Sequence, residues 1–370
     1  MGESAFLKEM YILFLQLKEF SFYFSWIFLA CACHQAGSEF HRLNTKTIMS
    51  FKIVADWPHL PDHFVLGNPT GMDIDKDQNL VVFHRGSRDW PLIGSIPDSR
   101  INENTVLIID RHSGKILRSW GDGIFIMPHG LKIDPENNIW VTDCGLHQVF
   151  KFNHEGKLLM QWGEAKKPGT DSLHFNEPTD IAFARDGSFY VADGYGNSRV
   201  VKFSPLGNYL LEWGRKGDKD GEFNIPHGID VDDRGNVYVA DRENKRIQQF
   251  DPNGKFIRSL EHPGFGMICA IRWNHQTHSL LAVDHLSRLL VPVGSDLLLF
   301  DSTGKIQSRF GRSGNYDGPV SWYHDFAIDE DGNIYVGDIL NNRILKFESA
   351  LDHDPGHPKD SSKIPVLGKN

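Results

Sequence analysis

A frame recurring every 48 to 50 residues constrains this chain more than any other feature. Each copy opens at or near a proline and runs through an apolar strand. It then turns at Asp-Gly or Asn-Asn, enters a second strand ending in Val-x-Asp, and closes on a third ending in Phe. One copy spans Pro128 to Phe152, with the turn Asn137-Asn138, the strand Ile139 to Asp143 and the closing run Gln148 to Phe152. The next spans Pro178 to Phe203 and turns at Asp186-Gly187; another spans Pro226 to Phe250 and turns at Gly235-Asn236. The last clear copy, Tyr323 to Phe347, turns at Gly332-Asn333. Apolar and polar residues alternating over short runs, punctuated by Gly and Asn, are the mark of strands joined by tight hairpins.

The gap from Pro226 to Tyr323 is 97 residues, nearly two periods. A worn copy therefore lies between them, and Met267 to Phe300 fits, keeping Ala270-Ile271-Arg272-Trp273 and Leu280 to Asp284 without the sharp turn. A further copy opens the series at Pro69, which makes six. A fourth strand closes each unit, as in Leu158 to Gly163, Tyr209 to Gly214 and Ile306 to Gly311. Four strands per period of this length predict an all-β, six-bladed β-propeller. Ring closure usually builds one blade from both chain ends, and Phe51 to Asp56 is the candidate closing strand. An open solenoid fits less well, because neither end carries a capping repeat.

The expected domain is residues 49–350. Before it, residues 1–48 hold an apolar run at 20–32, shorter than the roughly 20 residues of a membrane span and ending in small residues, which reads as a signal or anchor segment. On that reading the protein is secreted or membrane-anchored; translation starting at Met49 makes it cytoplasmic instead. Residues 351–370 read as a solvated, flexible tail. The net charge of −9 argues against a nucleic-acid surface. Beyond the leader only Cys144 and Cys269 remain, so at most one disulfide forms and the fold does not depend on a cysteine framework.

Histidines occupy one repeat position in alternate blades: His129 in blade two, His227 in blade four and His324 in blade six. In a six-fold ring those blades are a third of a turn apart, so three side chains at the head of innermost strands face the central channel from three directions. The odd blades carry Thr70 and Thr179 there, so the repeat itself does not demand histidine. Three imidazoles suit Zn²⁺ and leave a coordination position open for water or substrate. His84, His147 and His174 lack this placement and read as structural. Arg85, Tyr195 and Arg242 follow the second strand in blades one, three and four and differ from blade to blade, which marks them as candidates for chemistry. The recurrent Asp143, Asp193, Asp241 and Asp338, with Asn197, Asn244 and Asn342 and with Arg199, Arg246 and Arg343, read as blade architecture.

Five motifs in order carry a resemblance across about residues 65 to 347. They are Phe83-His84-Arg85-Gly86, Pro128-His129-Gly130-Leu131, Trp140 to Asp143 with Leu146 to Lys151, Asp193-Gly194-Tyr195 through Arg199, and Ala240 to Asn244. The chain resembles peptidyl-α-hydroxyglycine α-amidating lyase, and its repeats resemble the wider NHL class. That resemblance implies a zinc-dependent lyase that cleaves the N–Cα bond of a C-terminal α-hydroxyglycine to a peptide amide and glyoxylate. It implies zinc on His129, His227 and His324, and substrate binding with charge stabilisation by Arg85 and Arg242. It also implies Tyr195 as base, and a structural calcium held by Asp325 and the backbone carbonyls of Met72 and Leu131. The guanidinium groups are expected to favour ionised Tyr195.

The sequence departs from the family pattern in three ways. Trp322-Tyr323 replaces Met-Pro before the last histidine, which is expected to alter the pocket wall. Asn176, Gly196, Tyr238 and Gln249 stand where animal members have disulfide cysteines. No copper-monooxygenase domain precedes the propeller, so a separate hydroxylating enzyme is expected to supply the peptide or other hydroxylated amide. The alternatives are a non-enzymatic NHL propeller that binds a protein or glycan, and a lactonase-like hydrolase. The second would favour a calcium centre of carboxylates and asparagines, against which the three histidines argue.

Overall fold

The computed structural model describes residues 51–91, 95–288, 291–312 and 319–349. The apolar leader and the C-terminal tail lie outside the described residues. Among those described there are strands and turns and no helix. The strands form six four-stranded antiparallel sheets.

Each blade runs in chain order from an inner strand outward. The inner strands are Pro69–Ile74, Pro128–Ile133, Pro178–Phe183, Pro226–Val231, Met267–Asn274 and Tyr323–Ile328. Blade six is the exception to chain order, because its outermost strand is Phe51–Ile53, paired antiparallel with Arg343–Ser349 through Phe51 to Ser349 and Ile53 to Phe347. The first strand thus closes the ring on the last. The worn fifth repeat is a full blade, and its middle hairpin is extended, Ser279–Arg288 pairing with Val291–Phe300.

Two of the hairpins turn where the sequence places Asp-x-x-Gly-Asn. Asp232 accepts the backbone N–H groups of Arg234 and Asn236, and Asp329 those of Asp331 and Asn333. Gly235 and Gly332 take the left-handed conformation that a side chain would strain (φ 84° and 80°). Apolar side chains are buried between neighbouring blades. Trp140 and Val149 of blade two pack with Ile181, Phe189 and Val201 of blade three, and Trp140 stacks on Trp162 at 4.8 Å. Each fully buried phenylalanine of this kind contributes about 1.5–3 kcal/mol, so a blade gains its stability from the next one around the ring.

The recurrent aspartates are architectural. Asp193, Asp241 and Asp338 are buried and pair with Arg199, Arg246 and Arg343 at 3.0, 2.7 and 2.9 Å. Blade two has Gln148 in place of the arginine, and Asp143 there accepts the N–H groups of Ile126, Met127 and Leu146. Asn197 and Asn244 tie Asp193 and Asp241 to the adjoining loop. In blade six this bond belongs to Asn341, which donates to Asp338 and to Val320 O; Asn342, expected in that place, instead sits at φ 49° and bonds Asn68. Asparagine tolerates the left-handed turn, which explains the residue type without a bond to the aspartate. Cys144 and Cys269 are buried free thiols.

Candidate metal centre

All six inner strands break register near their start, between Pro69/Gly71, Pro128/Leu131, Pro178/Asp180, Pro226/Ile229, Ile268/Ala270 and Tyr323/Asp325. A bulge re-aims the side chain within it. The residues so placed are Thr70, His129, Thr179, His227, Cys269 and His324, which line one chamber.

Each histidine is held by the next blade. His129 Nδ1–H donates to Thr179 O at 2.7 Å, His227 Nδ1–H to Cys269 O at 2.6 Å and His324 Nδ1–H to Thr70 O at 2.8 Å. A carbonyl only accepts, so these bonds put the proton on Nδ1 and leave the Nε2 lone pairs free to point inward. The odd-blade residues therefore contribute through their backbone, a role the sequence did not reveal. Gly130 explains the Pro-His-Gly signature, since a Cβ on it would lie 2.4 Å from Thr179 O, the oxygen that orients His129.

The three rings lie 4.6, 4.7 and 4.9 Å apart between centroids, and one ligand nitrogen from each falls within 4.8 Å of the others. All three are buried. Burial pushes His129 and His227 well below the usual histidine range and His324 down to about 3, with the nearby arginines adding to the effect. Neutral imidazoles with converging lone pairs are a metal-ligand set. The triangle suits a borderline cation and leaves room for a further ligand.

Tyr195 sits against this triangle. Its hydroxyl lies 3.2 Å from His129 Nε2 and 3.1 Å from His227 Nε2, and Arg242 Nη1 donates to it at 3.0 Å. Burial pushes the phenol up, and Arg242 and Arg85 pull it only part of the way back. The guanidinium groups thus act in the expected direction but do not win. Arg242 is braced by Glu243 Oε1, which accepts from Nε and Nη2. Arg85 is 2% exposed; its Nε donates to Pro128 O at 3.1 Å and its Nη1 to Asn68 Oδ1 at 3.2 Å. Both acceptors are neutral, so among the described residues its charge has no ion-pair partner.

Trp90, five residues beyond Arg85, was not singled out from the sequence. Its ring lies 4.8 Å from that of Tyr195 and 4.9 Å from the Arg85 guanidinium. An isolated tryptophan in a blade-one loop carries no repeat signal. Tyr323 does not line the pocket as expected; it is buried in the core near Phe347, and Trp322 stacks on His285 at 4.0 Å. His84, His147 and His174 stand apart from the triangle and bond locally, to Gly86 N, Glu177 N and Asp171.

The residues expected to hold calcium face a different group. Asp325 receives Arg272 Nη2 at 2.7 and 2.8 Å, and the same nitrogen donates to Met72 O at 3.2 Å. A guanidinium already uses the carboxylate and one of the two carbonyls, so this set does not fit a structural calcium.

Comparison with known proteins places the chain among relatives. The NHL repeat family matches residues 125–152, 175–203 and 223–250. Peptidyl-α-hydroxyglycine α-amidating lyase 2 of Drosophila melanogaster is 37% identical over 80% of this chain and 75% of its own length. A probable peptidyl-α-hydroxyglycine α-amidating lyase of Caenorhabditis elegans is 35% identical over 76% and 83%. Peptidyl-glycine α-amidating monooxygenase B of Xenopus laevis is 37% identical over 80% of this chain, which spans only 36% of that protein. Among solved structures, a streptogramin B lyase superimposes with a TM-score of 0.55 at 12% identity, covering 81% of this chain and 98% of that one, a likeness of fold alone. With its six blades, its buried histidine triangle and these relatives, the chain belongs to the peptidyl-α-hydroxyglycine α-amidating lyase family, and so to the lyases.

Proposed function

We propose that the protein cleaves the N–Cα bond of a peptidyl-α-hydroxyglycine or a related hydroxylated amide, giving an amide and glyoxylate, at a zinc ion held by His129, His227 and His324. One observation carries this reading: the Tyr195 hydroxyl stands between two of the three inward Nε2 atoms, under Arg242 and beside an uncompensated Arg85. Bound zinc would supply Lewis acidity that lowers the pKa of a hydroxyl and needs no redox change. Tyr195 acts as the phenolate, which bound zinc beside the two guanidinium groups would favour, and takes the hydroxyl proton of the substrate; the electron pair collapses to the carbonyl of glyoxylate, the C–N bond breaks, and the departing amide nitrogen takes that proton from Tyr195. Arg242, which donates to the Tyr195 oxygen, supports the phenolate before it takes the proton and after it passes the proton on. Arg85, free of a carboxylate partner, takes the substrate carboxylate in two-pronged fashion, and Trp90 walls the same space.

A separate hydroxylating enzyme supplies the substrate, and the apolar run at 20–32 supports a location outside the cytoplasm. The test is incubation of the purified protein with an α-hydroxyglycine-extended peptide, following glyoxylate. Release that stops on metal removal and returns with zinc is expected; a metal-free protein, or one that leaves the peptide intact with zinc bound, rejects the reading.

A further inference from the structure

Below the histidine chamber the channel is built from charged side chains. Asp180 and Asp325 form part of the chamber wall, and beyond them a wider cleft opens at the opposite mouth, lined by Asp73, Lys132, Asp230 and Arg272. Arg272 lies between the two spaces. It is 6% exposed and comes from the inner strand of blade five, the worn repeat. Its Nη2 meets both oxygens of Asp325 and the carbonyl of Met72; its Nη1 donates to Ile271 O at 3.0 Å and lies 3.8 Å from Asp180 Oδ2. The guanidinium so joins blades one, three, five and six across the axis. Met72 N also donates to Asp325 at 2.9 Å, which fixes the carboxylate against blade one.

We propose that Arg272 is the resident cation of this channel, an internal guanidinium that takes the place of a divalent structural ion and makes the fold independent of calcium. Arg272 faces both carboxylates of the buried pair, Asp180 and Asp325, and Lys132 lies 3.6 Å from Asp230. Asp73 and Asp230 are half-buried at the open cleft and accept the N–H groups of Ile133 and Trp273. A calcium ion takes six to eight oxygens, and Arg272 already engages both oxygens of Asp325 and the Met72 carbonyl, so the two occupants compete for the same ligands. Burial works against the charge on Arg272, but Asp325 and Asp180 hold it well above that cost. The guanidinium also has a planar geometry suited to one carboxylate edge, and it cannot be lost by dilution or chelation.

The inference stands independently of the lyase reading, because its readouts are metal content and stability. Protein dialysed into calcium-free buffer is expected to carry no calcium by elemental analysis while keeping its zinc, and its thermal midpoint should not move when calcium is added. Stoichiometric calcium, or a midpoint that climbs with calcium, overturns the proposal. Arg272→Ala exposes two buried carboxylates and a carbonyl to one another, and is expected to acquire a saturable rise in midpoint with calcium, abolished again in Arg272→Ala/Asp325→Asn. Should Arg272→Ala fail to fold without calcium, recovery on refolding with calcium supports the proposal. Arg272→Ala and Arg272→Ser that never respond to calcium show the guanidinium to be packing only, and overturn it.

Discussion

Replacing Tyr195 by phenylalanine removes one oxygen from the most crowded point of the site. The ring keeps its place, held by Trp90 at 4.8 Å and by the Arg242 guanidinium at 5.1 Å. Arg242 loses one acceptor but retains Glu243, and the histidines keep their Nδ1 bonds to the neighbouring blades. The loss in stability should therefore be that of one hydrogen bond, about 1 kcal/mol. The loss in rate should be far larger, since a positioned proton acceptor contributes roughly 100- to 10,000-fold, or about 3–5 kcal/mol of barrier. Single-turnover glyoxylate release from an α-hydroxyglycine-extended peptide, with zinc content measured on the same sample, separates the two effects. Turnover within a few-fold of wild type, with zinc retained, would refute the assignment of Tyr195 as the base. Loss of zinc along with the hydroxyl would move its role to holding the triangle.

Two further outcomes follow from the geometry. Gly130→Ala places a Cβ 2.4 Å from Thr179 O and so drives apart the inner strands of blades two and three; zinc affinity, read by competition with a chromogenic chelator, should fall together with stability, whereas unchanged affinity would show that the Thr179 carbonyl does not orient His129. His84 is buried, and burial lowers its pKa from 6.5 to about 4. The fold thus accommodates the neutral ring, so its contribution is fully present above the unfolded value and is lost as pH falls from 6.5 towards 4, at about 1.4 kcal/mol per pH unit, or roughly 3 kcal/mol in all. Urea unfolding across that window should show a shallower slope in His84→Gln than in wild type; parallel slopes would contradict the buried neutral histidine.

Blade number, strand order and the place of each hairpin were legible in the repeat, because each blade is local antiparallel pairing and turn chemistry that leave a period in the chain. The worn fifth blade could be placed by that period, and the closing strand at Phe51 by the need of a ring to join its two ends. So could the histidine triangle, since equal repeat positions in alternate blades must face a common axis. Trp90 escaped because a loop residue outside the frame has no counterpart in other blades to set it apart. Asn341 was mistaken for Asn342 because the two neighbours share a residue type, and only backbone conformation tells which turns the chain and which donates.

What the tertiary structure decided lies between blades. The sequence alone determined that three imidazoles point inward; contact between inner strands of neighbouring blades, 50 and 42 residues apart for His129 and His227 and 254 apart across the ring closure for His324, determined that Thr179, Cys269 and Thr70 hold their Nδ1 protons. Arg272 was visible as a strand residue in the worn repeat, yet its reach across the axis to Asp325, 53 positions away, depends on the closed ring. The physical reason is that a repeat records which residues pair within a sheet, whereas the chemistry at the axis is set by which sheet comes next and how closely its backbone approaches.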